Sequence, residues 1–117
     1  MKITIGGCRD YNDYNEFKKF VDDYIKQLNT DEIIIISGHC SGVDMMAERY
    51  AEEKGLKTEI FPADWKRYGK AAGPVRNKTM VDNCDRVIAF WDNKSRGTAS
   101  LIKYAEKMGK EIVIKII

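Results

Sequence analysis

Five short stretches of the chain are rich in isoleucine and valine, and longer segments of mixed polarity separate them. Apolar runs of this length are typical of β-strands that are buried on both faces of a sheet. They predict core strands at Lys2–Ile5, Glu32–Ile36, Lys57–Phe61, Arg86–Phe90 and Glu111–Ile117.

Segments between these strands repeat apolar residues at the spacing of one helix face. The clearest stripe runs from Phe17 to Leu28, and its expected role is core packing. Shorter stripes lie at 43–51 and 101–108, and a weaker one lies at 72–79. We therefore expect four crossover helices.

Helix start and stop signals agree with these stripes. Asp13 with Glu16, and Ser41 with Asp44, have the spacing of capping boxes. Gly55 and Gly109 stand where a helix commonly ends in a left-handed residue.

Strands that alternate with helices predict a parallel sheet with right-handed crossovers, and hence an α/β fold of the Rossmann-like three-layer type. We interpret residues 1–117 as a single domain. In such sheets the ligand lies at the carboxyl ends of the strands, so function is sought in the loops that follow them.

Composition narrows the function classes. Hydrophobic residues make up 44% of the 117 residues and charged residues 32%, which excludes a disordered chain. The formal net charge of +2 argues against charge-driven binding to nucleic acid. No apolar run has the length of a membrane span or the form of a signal peptide, and we expect a cytoplasmic protein without a membrane partner.

The three cysteines, Cys8, Cys40 and Cys84, are widely separated and form no CxxC pair, and there is one histidine. A disulfide framework and a zinc knuckle are therefore not expected. His39 and Cys40 share a loop, but single thiols usually behave as small apolar residues. We predict neither a metal site nor a cofactor.

The loop after the first strand contains the paired glycines Gly6 and Gly7 and the cation Arg9. Glycines allow the backbone to approach a ligand closely, and a guanidinium is a forked donor to phosphate or carboxylate. The structural alternative is a tight turn in which Arg9 pairs with Asp10 or Asp13.

The loop after the second strand is Ser37-Gly38-His39-Cys40-Ser41-Gly42-Val43-Asp44. The free N–H groups of the helix start, with the hydroxyls of Ser37 and Ser41, are expected to bind a phosphate. The spacing matches neither the Rossmann GxGxxG motif nor a Walker A motif. Asp44 is expected either to hold a ribose hydroxyl or to cap its own helix.

A similar loop, Ser95-Arg96-Gly97-Thr98, follows the fourth strand and is expected to bind a second anionic group. Two such helix starts at one sheet edge predict a phosphorylated ligand. Trp91 and Trp65 stand at carboxyl ends of predicted strands, where each either stacks on a base or packs over the sheet.

The segment 65–78 is locally basic, has interleaved aromatics and includes Arg76 and Asn77. Contact with nucleic acid is one interpretation of it. A solvated helix face with one inward cation is the favoured one, because acidic residues around Glu48 balance the charge.

Five motifs, taken in order, resemble the YspA-like members of the SLOG superfamily, which also includes the DNA-processing protein A proteins and the Lonely Guy phosphoribohydrolases. The motifs are Gly6-Gly7-x-Arg9-Asp10, Ser37-Gly38-x-x-Ser41-Gly42-x-Asp44, Phe61-Pro62-Ala63-Asp64-Trp65, Gly73-Pro74-x-Arg76-Asn77 and Ala89-Phe90-Trp91-Asp92-x-x-Ser95-Arg96-Gly97-Thr98. The resemblance covers nearly the whole chain.

This resemblance implies a Rossmann-like fold with strand order 3-2-1-4-5 and a pocket for a nucleotide or nucleotide-derived ligand. The ligand-binding residues that we predict are Gly6, Gly7, Arg9, Ser37, Gly38, Ser41, Gly42, Asp44, Arg76, Asn77, Trp91, Ser95, Arg96, Gly97 and Thr98.

The phosphoribohydrolases use an arginine in an Arg-x-x-x-Met helix, which Arg76-Asn77-Lys78-Thr79-Met80 resembles. They also use a glutamate after a Gly-Thr step, but here Ala99, Ser100 and Leu101 follow Thr98. Hydrolysis would then depend on another carboxylate, and Asp10, Asp44 and Asp92 are the candidates.

The favoured hypothesis is a ligand sensor or carrier, with phosphates on the two small-residue loops, Arg9 and Arg76 as counter-charges, and Asp44 near a ribose hydroxyl. The alternatives are an N-glycosidic hydrolase of nucleoside phosphates or nucleotide sugars and, less favoured, a protein that binds single-stranded nucleic acid. No catalytic residue is assigned. Tyr50, Tyr104 and Met108 are either part of a homodimer surface or core residues.

Overall fold

A computed structural model describes residues 1–117 and contains one sheet of five parallel strands. The strands are β1 (Lys2–Gly7), β2 (Ile34–Ser37), β3 (Lys57–Ile60), β4 (Arg86–Trp91) and β5 (Glu111–Ile116). Their spatial order is β3-β2-β1-β4-β5, and all four neighbouring pairs are parallel. The predicted fold class and strand order are confirmed.

Helices connect consecutive strands, as the apolar stripes predict. They are α1 (Tyr14–Lys26), α2 (Val43–Lys54), α3 (Trp65–Tyr68), α4 (Ala72–Asp82) and α5 (Arg96–Lys107). The short helix α3 and the 3₁₀ turn Gly69–Ala71 that follows it were not predicted, because neither buries a residue that could form a stripe. None of the helices combines the length and the apolar character needed to cross a membrane.

The sheet separates two apolar clusters. Phe17 and Val21 of α1 pack with residues of α2 and the strands on one face, whereas Met80 of α4 and Leu101 of α5 pack on the other. Tyr50 is only 2% exposed and belongs to the first cluster, so it is a core residue and not part of a dimer surface.

Tyr104 and Met108, the other two candidates for a homodimer surface, are less buried than Tyr50. Tyr104 is half-buried, and its hydroxyl donates a hydrogen bond to Asp82. Met108 is exposed.

The edge strands contradict one prediction. β3 and β5 contain no buried residue, although their sequences predict strands buried on both faces. Each has only one neighbouring strand, so the helices that cover β1, β2 and β4 leave the edges partly open to solvent.

Helix ends confirm part of the capping pattern. Asp13 accepts a hydrogen bond from the N–H of Glu16 at 3.0 Å, and Gly55 ends α2 in the left-handed conformation with a φ of 68°. The predicted box at Ser41 is wrong, because the N-cap of α2 is Gly42 and no side chain caps that helix.

Candidate functional site

A cleft of about 700 Å³ opens at the carboxyl ends of β1 and β4. The strand order reverses direction between β1 and β4, which makes this pair the topological switch point of the sheet. Ligands usually bind at this point in open α/β sheets. The predicted site residues that line it are Gly6, Gly7, Arg9, Asp44, Arg76, Asn77, Ser95, Arg96, Gly97 and Thr98.

The first turn of α5 forms one wall of the cleft. Ser95 is its N-cap, and the Ser95 Oγ accepts a hydrogen bond from the N–H of Thr98 at 3.4 Å. The N–H groups of Arg96 and Gly97 donate to no protein acceptor. Because these N–H groups and the helix dipole favour negative charge, this turn can bind an anion.

Asp92 holds the segment that leads into α5. Its Oδ1 accepts hydrogen bonds from the N–H groups of Lys94 and Ser95, each at 2.8 Å. These bonds, that of Ser95 foremost, hold the pKa of Asp92 below its ordinary value. Asp92 thus stays ionised and keeps the loop in place.

The start of α2 packs against the turn after β1. The N–H of Val43 donates to the carbonyl oxygen of Cys8 at 3.2 Å. Gly42 has a φ of 75°, and a Cβ there would overlap that carbonyl and lie 2.5 Å from the carbonyl oxygen of Arg9. The turn after β1 therefore covers the helix start, at the place where we expected a phosphate.

The hydroxyls predicted to bind that phosphate also lie outside the cleft. Ser41 is exposed on the surface. The Ser37 hydroxyl is buried and contacts the carbonyl oxygen of Asp44 at 3.1 Å and a carboxylate oxygen of Glu48 at 2.9 Å. Gly38 and Gly42 do not line the cleft either, so none of these four residues enters the site that we propose below.

Asp44 reaches the floor of the cleft from the first turn of α2 and is 5% exposed. Its Oδ2 accepts a hydrogen bond from the N–H of Cys40 at 3.3 Å. Burial raises the pKa of Asp44 to about 6, against the lowering effects of the Cys40 N–H, the charge of Arg76 and the Gly7 N–H. The sequence left this residue open between a helix cap and a ligand contact; the carboxylate does not cap α2.

Arg76 spans the gap between two loops at the sheet edge. Its Nη1 donates to the carbonyl oxygen of Gly38 at 2.6 Å, and its Nε donates to Oδ1 of Asn77 at 3.1 Å. Nη2 has no protein acceptor. Asn77 in turn donates to the carbonyl oxygen of Gly97 at 3.2 Å, so α4 connects the loop after β2 with the start of α5.

Four further cations line the cleft, and their side chains form neither a hydrogen bond nor an ion pair with the protein. They are Arg9, Lys70, Lys94 and Arg96. The alternative pairing of Arg9 with Asp10 or Asp13 is not formed. Lys70 and Lys94 are not among the predicted site residues, although Lys70 lies in the basic segment 65–78.

The two tryptophans have different environments. Trp91 does not line the cleft, and its Nε1 donates to the carbonyl oxygen of Ser95 at 3.1 Å. Trp65 lines the cleft and is 52% exposed. The aromatic surface open to a ligand therefore belongs to Trp65, and Trp91 supports the loop before α5.

Comparison with known proteins identifies the family. The model of the family described as "YspA, cpYpsA-related SLOG family" matches residues 1–68. The chain belongs to this family. The Gene 61 protein of Mycobacterium phage D29 is 32% identical over 87 residues, which are 69% of this chain and 70% of that protein. SLOG membership suggests binding or processing of a nucleotide-related ligand.

Two solved structures share the fold of this chain. DNA processing protein A from Streptococcus pneumoniae superposes with a TM-score of 0.75 at 22% identity over 97% of this chain. The match covers 49% of that protein, so the chain spans about half its length. The protein TM1055 superposes with a TM-score of 0.69 at 18% identity, covering 95% of this chain and 71% of TM1055.

Proposed function

We propose that this SLOG protein binds a nucleotide or nucleotide-derived ligand in the cleft, with a phosphate at the first turn of α5. The observation that carries the proposal is the pair of free N–H groups at Arg96 and Gly97, in a cleft that is also lined by four cations without protein partners. A phosphate offers strong acceptor oxygens to such donors, and charge-assisted hydrogen bonds are the stronger ones.

The floor of the cleft provides groups for the rest of the ligand. An ionised Asp44 is an acceptor for a ribose hydroxyl, and Nη2 of Arg76 is a free donor beside it. Gly6 and Gly7 line the same part of the cleft, and packing requires both to be glycine. A Cβ on Gly6 would lie 2.8 Å from Leu101, and one on Gly7 would overlap the carbonyl oxygen of Phe90.

Calorimetric titration of the ligand-stripped protein with AMP tests the proposal, using Gly97→Asp as the variant. A Cβ at Gly97 meets no atom within 4 Å, and an aspartate in a first helical turn favours the helix. The variant should therefore fold while its carboxylate repels a phosphate. We expect the affinity for AMP to fall by about tenfold or more.

Gly97→Ala is the matched control, since it adds the same Cβ without the charge. We expect it to bind AMP within about threefold of the parent chain, a difference below 1 kcal/mol. Equal affinities of the aspartate and alanine variants would contradict a phosphate position at α5.

A hydrolase that cleaves the N-glycosidic bond of a nucleoside phosphate is the second candidate, and Asp44 favours it. A buried carboxylate beside the cleft can stabilise the positive charge that develops on the ribose as the base leaves. Water would add to the anomeric carbon, giving free base and ribose 5-phosphate.

Chromatographic detection of free base from AMP distinguishes the two candidates. In the hydrolase, release of base is expected to disappear in Asp44→Asn and to persist in Asp10→Asn, because Asp10 is an exposed carboxylate at the rim of the same cleft. AMP that binds without release of base supports a sensor or carrier.

A further inference from the structure

Trp65 is an exposed aromatic side chain in a largely polar cleft. It is the first residue of α3, and the side chain of Asp64 fixes the start of this helix by accepting the N–H of Arg67 at 3.1 Å. Large aromatic side chains that remain half exposed beside a binding cleft are suited to stacking on a flat partner.

Helix α4 sets the position of this ring relative to the anion site. A Cβ on Gly73, in the first turn of α4, would lie 3.9 Å from Cη2 of Trp65. Asn77, four residues later, contacts the carbonyl oxygen of Gly97. Four residues correspond to about 6 Å along a helix axis, so the two contacts lie about one turn of α4 apart. Trp65 and the first turn of α5 line the same cleft.

We propose that Trp65 stacks on the base of a bound nucleotide whose phosphate lies at the first turn of α5. This inference rests on the function proposed above and specifies its ligand: a phosphorylated ribose that carries an aromatic base, rather than a sugar phosphate alone. Trp91 is not this platform, because its indole N–H is bound to the loop before α5 and it lies outside the cleft.

The test compares AMP with ribose 5-phosphate, which lacks the base, on the parent chain and on Trp65→Ala. Stacking on an aromatic side chain should make AMP bind about 5- to 100-fold more tightly than ribose 5-phosphate to the parent chain. The preference should fall to about threefold or less in Trp65→Ala. Unchanged affinity of that variant for ribose 5-phosphate shows that it is folded.

Tyr68→Ala is the matched control, because Tyr68 is a partly exposed aromatic residue of the same helix but does not line the cleft. It should keep the preference of the parent chain for AMP. AMP should also quench the tryptophan fluorescence of the parent chain, and Trp65→Phe should lose most of this quenching.

The outcomes separate the inference from the function on which it rests. If Trp65→Ala keeps the preference for AMP, or if the parent chain binds both ligands equally, stacking on Trp65 is overturned and the phosphate site stands. If the parent chain binds neither ligand, both proposals are overturned.

Discussion

Two helices begin at the same edge of the sheet after loops of similar composition, and their first turns differ. At α5 the N–H groups of Arg96 and Gly97 face the cleft without an acceptor. At α2 the corresponding turn is covered by the backbone of Cys8 and Arg9. The start of α5 opens into the cleft, whereas the start of α2 is packed against the turn after β1.

The N-cap residues show how this difference arises. Ser95 has the extended conformation of an ordinary N-cap, with φ of −60° and ψ of 119°. Gly42 has φ of 75° and ψ of −126°, which disfavours any residue with a Cβ. This conformation lets the turn after β1 lie directly against α2. Glycine at a helix start therefore indicates either an anion site or close backbone packing.

Gly42→Ala should have the largest effect on this comparison. The added Cβ would overlap the carbonyl oxygen of Cys8 and occupy a strained conformation. Backbone strain and overpacking together should lower the free energy of unfolding by about 3 kcal/mol or more. Urea denaturation followed by circular dichroism measures this loss.

Gly55→Ala is the control, since Gly55 also has a positive φ but a Cβ there would meet nothing within 4 Å. We expect this variant to lower the free energy of unfolding by about 1 kcal/mol, because only the left-handed conformation disfavours the added Cβ. Equal losses in the two variants would mean that the covered start of α2 is not tightly packed.

Apolar periodicity predicts the strands and most of the helices, because it reflects which residues face the core, and the family resemblance implies the strand order. It also predicts ten of the residues that line the cleft, including Arg76 and Asn77. Apart from the strand order, these predictions use only residue type and position along the chain.

What the sequence could not show depends on contacts between loops. Nothing in the segment 37–44 reveals that Cys8 and Arg9 lie over it, so the phosphate site was assigned to both helix starts. For the same reason Trp91 and Trp65 could not be distinguished, because the hydrogen bond to Ser95 appears only in three dimensions.

The first turns of α2 and α5 also differ in the groups that they contribute to the cleft. The first turn of α2 contributes the buried carboxylate of Asp44, whereas the first turn of α5 contributes free N–H groups. The pKa of Asp44 is about 6 in the folded protein and near 3.8 in the unfolded chain. Between pH 3.8 and about pH 6, Asp44 therefore takes up a proton when the chain folds. The free energy of unfolding should fall as pH rises through this range. The shift corresponds to about 3 kcal/mol.

The measurement is the free energy of unfolding of the parent chain and of Asp44→Asn from pH 4 to pH 7. The stability of the parent relative to the variant should decline by up to about 3 kcal/mol across this range and then remain level. Two curves that run parallel would show that Asp44 titrates normally in the fold.

The smallest expected effect comes from the two serines that the sequence treats alike, Ser41 and Ser95. The Ser95 Oγ accepts the N–H of Thr98, so Ser95→Ala should lower the free energy of unfolding by about 1 kcal/mol. Ser41 is exposed and caps no helix, so Ser41→Ala should change it by less than about 0.5 kcal/mol. Thermal unfolding measures both losses. A larger loss in Ser41→Ala than in Ser95→Ala would contradict the conclusion that Ser95 caps α5 and that Ser41 does not cap α2.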